Sequence, residues 1–375
     1  MTKITQSKAV IQLSNWTIPQ KLTRITQSQA VRQFSNPIAI GSTILQFNLL
    51  WIPFIFFFFL ISFQDASTQI QWGIDSTLQK GLPEGIQVYK NLTSPDDSPF
   101  IAYYVSISLK NKDFIFDTDT SKGRRLTPRA FFHKLDSPLI VVNGTFFSFN
   151  THQNVNAVMS NSRLIAYHEH SVKGSGADSA YYFHPFRGAL GINKKHKPDI
   201  AWLFTDSTRR YPYAFQQVRS FIKNQKPTVE IKELEPRIHN WLIPWKKRGI
   251  NKKWKMETAI GGGPVLIQNG NILISSKEER MFANTEETKH PRTAMGYTST
   301  DLVILCIQGR MPGIASGAGL IQVAQIFKDL GCIEAINLDG GGSSCMLIKG
   351  KETIKPSDAI GQRAIPAVFY VKNKK

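Results

Sequence analysis

Apolar positions in the last third of the chain follow a strand, helix, strand pattern. Residues 302–307 form a continuous apolar run of strand length, and residues 335–338 form a second, shorter run that is apolar except for Asn337. Between them Leu320, Val323, Ala324, Phe327 and Leu330 recur at helical spacing, and Gly331 ends the helix. The order predicts a C-terminal βαβ unit with parallel strands and a right-handed crossover. We therefore expect an α+β fold built on a mixed β-sheet.

Polar side chains follow both predicted strands. Gln308, Gly309 and Arg310 follow the first strand, and Asp339 follows the second. The carboxyl ends of parallel strands share one sheet edge, which is where open α/β sheets bind ligands. The pattern predicts that a cation and an acid converge there.

Three consecutive glycines follow Asp339 in the sequence NLDGGGSSC at 337–345. Gly340, Gly341 and Gly342 allow positive φ and close approach of a ligand to the backbone. Successive N–H groups in such a turn form an anion-binding concavity. A tight turn capped by the aspartate is the structural alternative. The two serines after the glycines favour the functional interpretation.

Four further motifs accompany this one: NGTFF at 143–147, GGGPVLIQNG at 261–270, HPRTAMGYT at 290–298 and QGR at 308–310. In this order and spacing, over about residues 100–372, they closely resemble the phosphodiester glycosidase family. The resemblance implies one pocket formed by Asn143, Gly262, Arg292, Thr293, Asp339, Gly341 and Ser343. It is specific to the family and leaves the substrate open.

The residue types suit hydrolysis of a glycosyl phosphodiester. Arg292 and Arg310 offer planar forks to phosphate oxygens, and the backbone of residues 340–344 offers N–H donors. Asp339 is a nucleophile, a base or a stabiliser of oxocarbenium charge. The predicted catalytic residues are Asp339, Arg292 and Asn143. The predicted substrate-binding residues are Gly262, Thr293, Arg310, Gly340, Gly341, Gly342, Ser343 and Ser344.

Several roles stay open at this level. Asn143 either caps a turn or binds substrate, and Arg292 either binds phosphate or forms a buried ion pair with Asp339. His290 precedes a proline, so it is a turn residue or a general acid. Ser343 and Ser344 are ligands or turn residues. The acid/base partner of Asp339 is undetermined among Asp117, Asp119, Asp206 and Glu169.

Residues 38–63 contain no charged side chain, whereas residues 1–37 carry five basic and no acidic ones. This asymmetry predicts one transmembrane helix, with residues 1–37 as a basic cytoplasmic tail and the domain outside the cytoplasm. A cleaved signal segment, which would give a secreted protein, is the alternative. In the tail, residues 2–15 recur at 23–36 with ten of fourteen positions identical, a duplication with a period of 21 residues.

The remaining chain divides into a predicted linker at 64–99 and a glycosidase-like domain at 100–375. Without the tail the chain has 41 basic and 27 acidic side chains. Residues 163–256 contribute 19 basic and 7 acidic ones, which indicates a basic elaboration around 168–256. Such a face attracts polyanions or is merely solvated. We expect no specific nucleic-acid binding, because no nucleic-acid motif accompanies it.

The three cysteines, Cys306, Cys332 and Cys345, are too few for a disulfide framework, and packing is their expected role. No Cys or His spacing indicates structural zinc. We predict no cofactor and no metal site, and a divalent cation at Asp339 has no support in the sequence.

These features predict a membrane-anchored hydrolase that cleaves a glycosyl phosphodiester, or a related phosphate-linked sugar, outside the cytoplasm. The competing hypothesis is a noncatalytic envelope protein that binds anionic glycans in the same pocket. Intact acid and arginine motifs favour the enzyme.

Overall fold

The computed structural model describes residues 69–219, 223–225, 252–282 and 284–374, which lie within one compact unit, Asp65–Lys375. In chain order the strands are β1 (Trp72–Ile74), β2 (Ile86–Asn91), β3 (Ala102–Ser108), β4 (Phe114–Thr120), β5 (Ile140–Asn143), β6 (Val158–Ser160), β7 (Arg163–Ala166), β8 (Val172–Lys173), β9 (Tyr182–Phe183), β10 (Arg187–Ile192), β11 (Pro198–Phe204), β12 (Tyr213–Phe215), β13 (Lys252–Lys253), β14 (Thr258–Gly261), β15 (Val265–Gln268), β16 (Asn271–Ile272), β17 (Arg292–Tyr297), β18 (Asp301–Ile307), β19 (Glu334–Asn337), β20 (Met346–Ile348), β21 (Lys351–Glu352) and β22 (Ala367–Asn373). The α-helices of the described residues are α1 (Ser76–Gln79), α2 (Pro128–Lys134) and α3 (Leu320–Asp329).

Three large sheets make up the domain. The first has eight strands in the order β1-β2-β3-β18-β17-β19-β15-β16, and the second has seven in the order β13-β12-β11-β10-β14-β6-β7. The third has five strands in the order β21-β20-β5-β22-β4, and β8 pairs with β9 in a separate ribbon. One apolar core contains buried side chains from all three large sheets.

Strand β18 explains how the eight-stranded sheet is packed. Leu302, Ile304 and Cys306 belong to the core shared by the three sheets. Val303, Leu305 and Ile307 face the opposite way and pack with the apolar face of α3. Successive side chains of a strand point to opposite faces, so a strand covered on both sides is apolar throughout.

The predicted helix is present as α3. It begins at Leu320, where the Gln322 side chain accepts a hydrogen bond from the Gly319 amide at 3.1 Å. Leu320, Val323, Ala324 and Phe327 are fully buried. The helix ends at Asp329, and Gly331 follows with a φ of +74°.

The predicted α+β class with a βαβ unit is wrong. β18 and β19 are not paired with each other, because β17 lies between them and is antiparallel to both. Every strand pair in the described sheets is antiparallel, and the domain is mostly β-sheet. A double-sided apolar strand is typical of parallel sheets. Here α3 and the other two sheets bury an antiparallel one.

Two predicted boundaries also change. The expected linker at 64–99 contains β1 and β2, which pair with each other and with β3, so the domain begins before residue 100. The expected elaboration at 168–256 contains β10 and β11, which are interior strands of the seven-stranded sheet. The most basic stretch of this segment is 245–255, and its residues 245–251 lie outside the described residues.

The predicted tail at 1–37 and membrane segment at 38–63 lie outside the described residues. The predicted transmembrane helix therefore has no counterpart among the described residues. Among the helices that are described, none is both long and apolar enough to cross a bilayer.

Candidate functional site

The candidate site lies where β18 and β19 end and β17 begins. Arg292 is opposite Ile307 of β18, and Ala294 is opposite Asn337 of β19. The Leu338 amide continues the pairing by donating to the Thr293 carbonyl at 2.8 Å. Antiparallel pairing thus places Arg292 beside the segment that carries Asp339.

The Asn143 side chain ties this edge to the five-stranded sheet. Its Nδ2 donates to the Asp339 carbonyl at 2.6 Å. Its Oδ1 accepts from the Thr293 hydroxyl at 2.8 Å and from the Cys345 amide at 3.0 Å. Asn143 is fully buried. The amide is thus engaged inside the protein, and this geometry favours positioning of the loop over contact with substrate.

The glycine triplet is packed closely on several sides. A Cβ on Gly340 would lie 2.8 Å from the Pro291 carbonyl oxygen, and one on Gly341 would lie 3.0 Å from Nη1 of Arg310. A Cβ on Gly342 would collide with Asp358 and Arg363. Gly341 also has a φ of +59°. The glycines therefore let two guanidinium groups approach the backbone.

Asp339 has a carboxyl group suited to proton transfer near neutral pH. It is half-buried, and desolvation raises its pKa to about 7. The Ser343 hydroxyl, the Arg363 charge and the Gly340 amide favour the carboxylate but only partly offset burial. A perturbed carboxyl beside a glycine-rich turn is typical of a catalytic group.

Arg292 is a buried cation without an acidic partner. Its Nε donates to the Ala318 carbonyl and its Nη2 to the Thr288 carbonyl, both at 2.9 Å. Among the described residues it forms no ion pair, so the alternative of a pair with Asp339 is not realised. Burial, followed by repulsion from Arg310, lowers its pKa to about 10. It stays charged at neutral pH and is oriented by backbone carbonyls.

Arg310 and His290 are the other basic side chains at this edge. Arg310 is exposed, and its Nη2 lies 3.4 Å from Nδ1 of His290. Burial, then Arg292 and Arg310, lower the pKa of His290. The imidazole is therefore neutral at pH 7. Arg292 and Arg310, which have no carboxylate partner among the described residues, make this edge attractive to an anion.

The other predicted residues support the backbone. Thr293 is buried and bonded to Asn143, and the Gly262 carbonyl accepts from Asn156 at 2.7 Å. A Cβ on Gly262 would collide with the Asn337 carbonyl, so this glycine permits close packing of two segments. The Ser344 hydroxyl is buried without a partner among the described residues.

Arg363 and Asp358 are site residues that the sequence did not indicate. Arg363 donates from Nε and Nη2 to the two carboxylate oxygens of Asp358, at 2.7 and 2.8 Å. Its Nη1 reaches the Ser343 hydroxyl at 3.4 Å. Neither residue lies in a motif. Both follow the glycine loop by more than a dozen residues in the sequence, and the fold brings them back beside it.

The four carboxylates considered as partners for Asp339 are engaged elsewhere or exposed. Asp117 accepts from Ser160 and Tyr370, and Asp119 pairs with Lys134. Asp206 accepts from Thr208, and Glu169 is exposed. In the described residues no three His, Cys, Asp or Glu side chains are grouped so as to hold a metal ion.

Comparison with known proteins gives consistent matches. The sequence profile of the phosphodiester glycosidase family matches residues 137–372. A SPbeta prophage-derived uncharacterized protein of Bacillus subtilis is 42% identical over 78 residues, 20% of this chain and 12% of that protein. The N-acetylglucosamine-1-phosphodiester alpha-N-acetylglucosaminidase of Bos taurus is 32% identical over 103 residues, 25% of this chain and 19% of that enzyme.

A solved structure shares the fold. It is a hypothetical protein from Synechocystis, with a TM-score of 0.53 and 15% identity, over 78% of this chain and 62% of that one. This likeness bears on the fold alone. The aligned segments cover less than a fifth of the length of the two curated relatives.

The raised pKa of Asp339 predicts a pH-dependent cost to stability. An unfolded aspartate has a pKa of about 3.9, whereas the folded one has a pKa of about 7. Between these values the folded state holds a proton that the unfolded state has released, so stability falls as pH rises. Asp339→Asn removes this dependence. Its melting temperature should exceed that of the wild type by more at pH 8 than at pH 4.

The exposed Asp113 provides a control. Asp113→Asn should show a much smaller change in its melting difference between the two pH values. An Asp339→Asn difference that is the same at pH 4 and pH 8 would mean that the carboxyl is not perturbed in the folded protein.

Proposed function

The chain belongs to the phosphodiester glycosidase family, and on that basis we propose that it hydrolyses a glycosyl phosphodiester or a related phosphate-linked sugar. The family consists of hydrolases, so the class of reaction follows from membership. One observation carries the finer proposal: Asp339, with its raised pKa, adjoins a glycine turn near Arg292 and Arg310. Neither of these two arginines has a carboxylate partner among the described residues.

N-acetylglucosamine is the first sugar to test. The bovine relative is, by its name, an N-acetylglucosamine-1-phosphodiester alpha-N-acetylglucosaminidase. The alignment with this enzyme covers 103 residues. We therefore infer an N-acetylglucosamine 1-phosphodiester as the working substrate.

In this proposal Arg292 and Arg310 bind the phosphate. Two nitrogens of Arg292 are held by carbonyls, which leaves Nη1 without a hydrogen bond to the described residues. Arg310 stands over Gly341 and adds a second fork. A phosphodiester carries one negative charge, and guanidinium groups bind phosphate oxygens in bidentate fashion.

Bond cleavage falls to Asp339. A phosphomonoester leaving group needs little protonation, so breaking the anomeric C–O bond depends mainly on stabilising positive charge on the sugar. The carboxylate form of Asp339 supplies the negative charge that does this, as a nucleophile or as an electrostatic stabiliser, and water then adds to the anomeric carbon as the phosphomonoester leaves. Asn143 and Thr293 hold the Asp339 backbone in place.

A noncatalytic envelope protein that binds anionic glycans is the competing function. The same cations would attract such a ligand. A protein that only binds an anion gains nothing from a carboxyl group beside these cations, because its ionised form repels the ligand. The raised pKa of Asp339 therefore favours the enzyme.

We also propose that the domain acts outside the cytoplasm. Support comes from the uncharged residues 38–63 and the five basic side chains before them. This arrangement is typical of segments that direct a following domain across a membrane, whether or not they are later removed.

The central test is a hydrolysis screen of the chain against sugar 1-phosphodiesters, beginning with N-acetylglucosamine. Asp339→Asn is nearly isosteric but removes the charge, and should lower kcat by about a thousandfold or more. Circular dichroism should show that the variant is folded. A folded variant with wild-type turnover would remove Asp339 from the mechanism. A wild type that binds but cleaves none of the substrates would favour the glycan-binding function.

Arg292→Lys separates phosphate recognition from scaffolding. Lysine keeps the charge but loses the planar fork. We expect kcat/KM to fall at least a hundredfold on the phosphodiester, and less than tenfold on an uncharged aryl glycoside of the same sugar. Steady-state kinetics on both substrates measure this. Equal losses on the two would assign Arg292 to the scaffold, through its bonds to the Ala318 and Thr288 carbonyls.

Location is tested with protease added to intact cells. An extracytoplasmic domain should be digested, or recovered from the medium, while a cytoplasmic marker stays intact. Protection of the domain until the cells are lysed would contradict the proposal.

A further inference from the structure

Arg125 is a cation that aromatic rings hold in place. Its guanidinium carbon lies 5.6 Å from the ring centre of Phe147 and 5.5 Å from that of Phe149. Arg125 is half-buried and forms no ion pair within the described residues. A guanidinium stacked on aromatic rings is pre-organised, so it loses little freedom when it binds an anion.

Phe149 connects Arg125 with the candidate site. Its side chain is 58% exposed, and the guanidinium carbon of Arg363 lies 5.4 Å from the ring centre. Arg363 in turn contacts the Ser343 hydroxyl and stands against Gly342. Arg125 is therefore one aromatic ring away from a residue that touches the glycine turn.

The charges along this line differ in one important respect. Arg363 is neutralised by its bidentate pair with Asp358. Arg310 at one end of the line and Arg125 at the other have no carboxylate partner in the described part of the chain. The site thus presents two separated places for negative charge, whereas a single phosphodiester needs one.

We propose that Arg125 binds a second anionic group of the substrate, so that the enzyme prefers carbohydrates that carry further negative charge near the cleaved phosphodiester. A chain of phosphate-linked sugars is the substrate class that fits. The inference rests on the proposed function, and it adds a specificity-determining residue outside the catalytic group. Phe147 and Phe149 position the guanidinium.

The test compares two substrates with the same sugar. One is the methyl ester of N-acetylglucosamine 1-phosphate, and the other joins that phosphate to glycerol 3-phosphate, which adds a second phosphate. Arg125→Gln should raise the ratio of KM for the second substrate to KM for the first by about tenfold, or ~1.4 kcal/mol. Arg125→Lys keeps the charge, so it should keep part of the preference for the substrate with two phosphates. Added salt should weaken that preference.

Arg210→Gln is the matched control, because its guanidinium carbon also stands over a ring, 5.3 Å from the centre of Tyr211. Arg210 lies at the end of β14 away from the candidate site. Its Nε donates to the Ser162 carbonyl, and the Ser162 amide donates to the Glu257 carbonyl just before β14, whereas Gly262 of the site follows the other end of that strand. The control should shift the KM ratio by less than twofold. An equal shift in both variants would reduce the effect to general charge, and no shift in Arg125→Gln would overturn the proposal.

Calorimetric binding of the same two compounds separates this inference from the proposed function. If the wild type cleaves neither compound, the proposed function fails for this sugar. The ratio of the two Kd values then decides on Arg125 alone: a change of about tenfold in Arg125→Gln supports a second anion position, and an unchanged ratio rejects it.

Discussion

The arrangement of the site depends on the single amide group of Asn143. One side chain at the end of β5 bonds to the Asp339 carbonyl, the Thr293 hydroxyl and the Cys345 amide. Thr293 lies in the eight-stranded sheet, and Asp339 and Cys345 lie at the two ends of the glycine loop. A buried amide with three hydrogen bonds is costly to disturb, because each partner would lose its hydrogen bond away from water. The loop is therefore fixed from inside the protein through the Asp339 backbone, and Asn143 makes no hydrogen bond to the Asp339 carboxyl among the described contacts.

Burial shifts the pKa values of Asp339 and Arg292 in opposite directions, because it disfavours the charged form of each. Desolvation raises the pKa of the acid to about 7 and lowers that of the base to about 10. Neither charge is neutralised by the other, and backbone carbonyls hold the arginine instead. An anionic ligand would relieve this unpaired cation. The absence of side chains on Gly341 and Gly342 lets Arg310 and Arg363 stand close to the same backbone.

Local patterns predicted α3, the strand before Asp339 and the glycine turn, because each depends on neighbouring residues. They failed at sheet topology. A double-sided apolar strand looks the same whether its neighbour is parallel or antiparallel, and nothing near β18 shows that β17 separates it from β19. Arg363 and Arg125 were missed for a similar reason. Each reaches the site through contacts between distant segments, and neither lies in a motif.

The buried thiols have a consequence for how the domain can be probed. Cys306, Cys332 and Cys345 are all free and buried, and burial raises the pKa of Cys306 and Cys332 to about 12. Thiols react as thiolates, so these are chemically inert while the sheets stay closed. Two of them lie in the cores on opposite faces of the eight-stranded sheet. Alkylation of the native protein therefore requires these cores to open, and its rate measures their opening when alkylation is faster than reclosing.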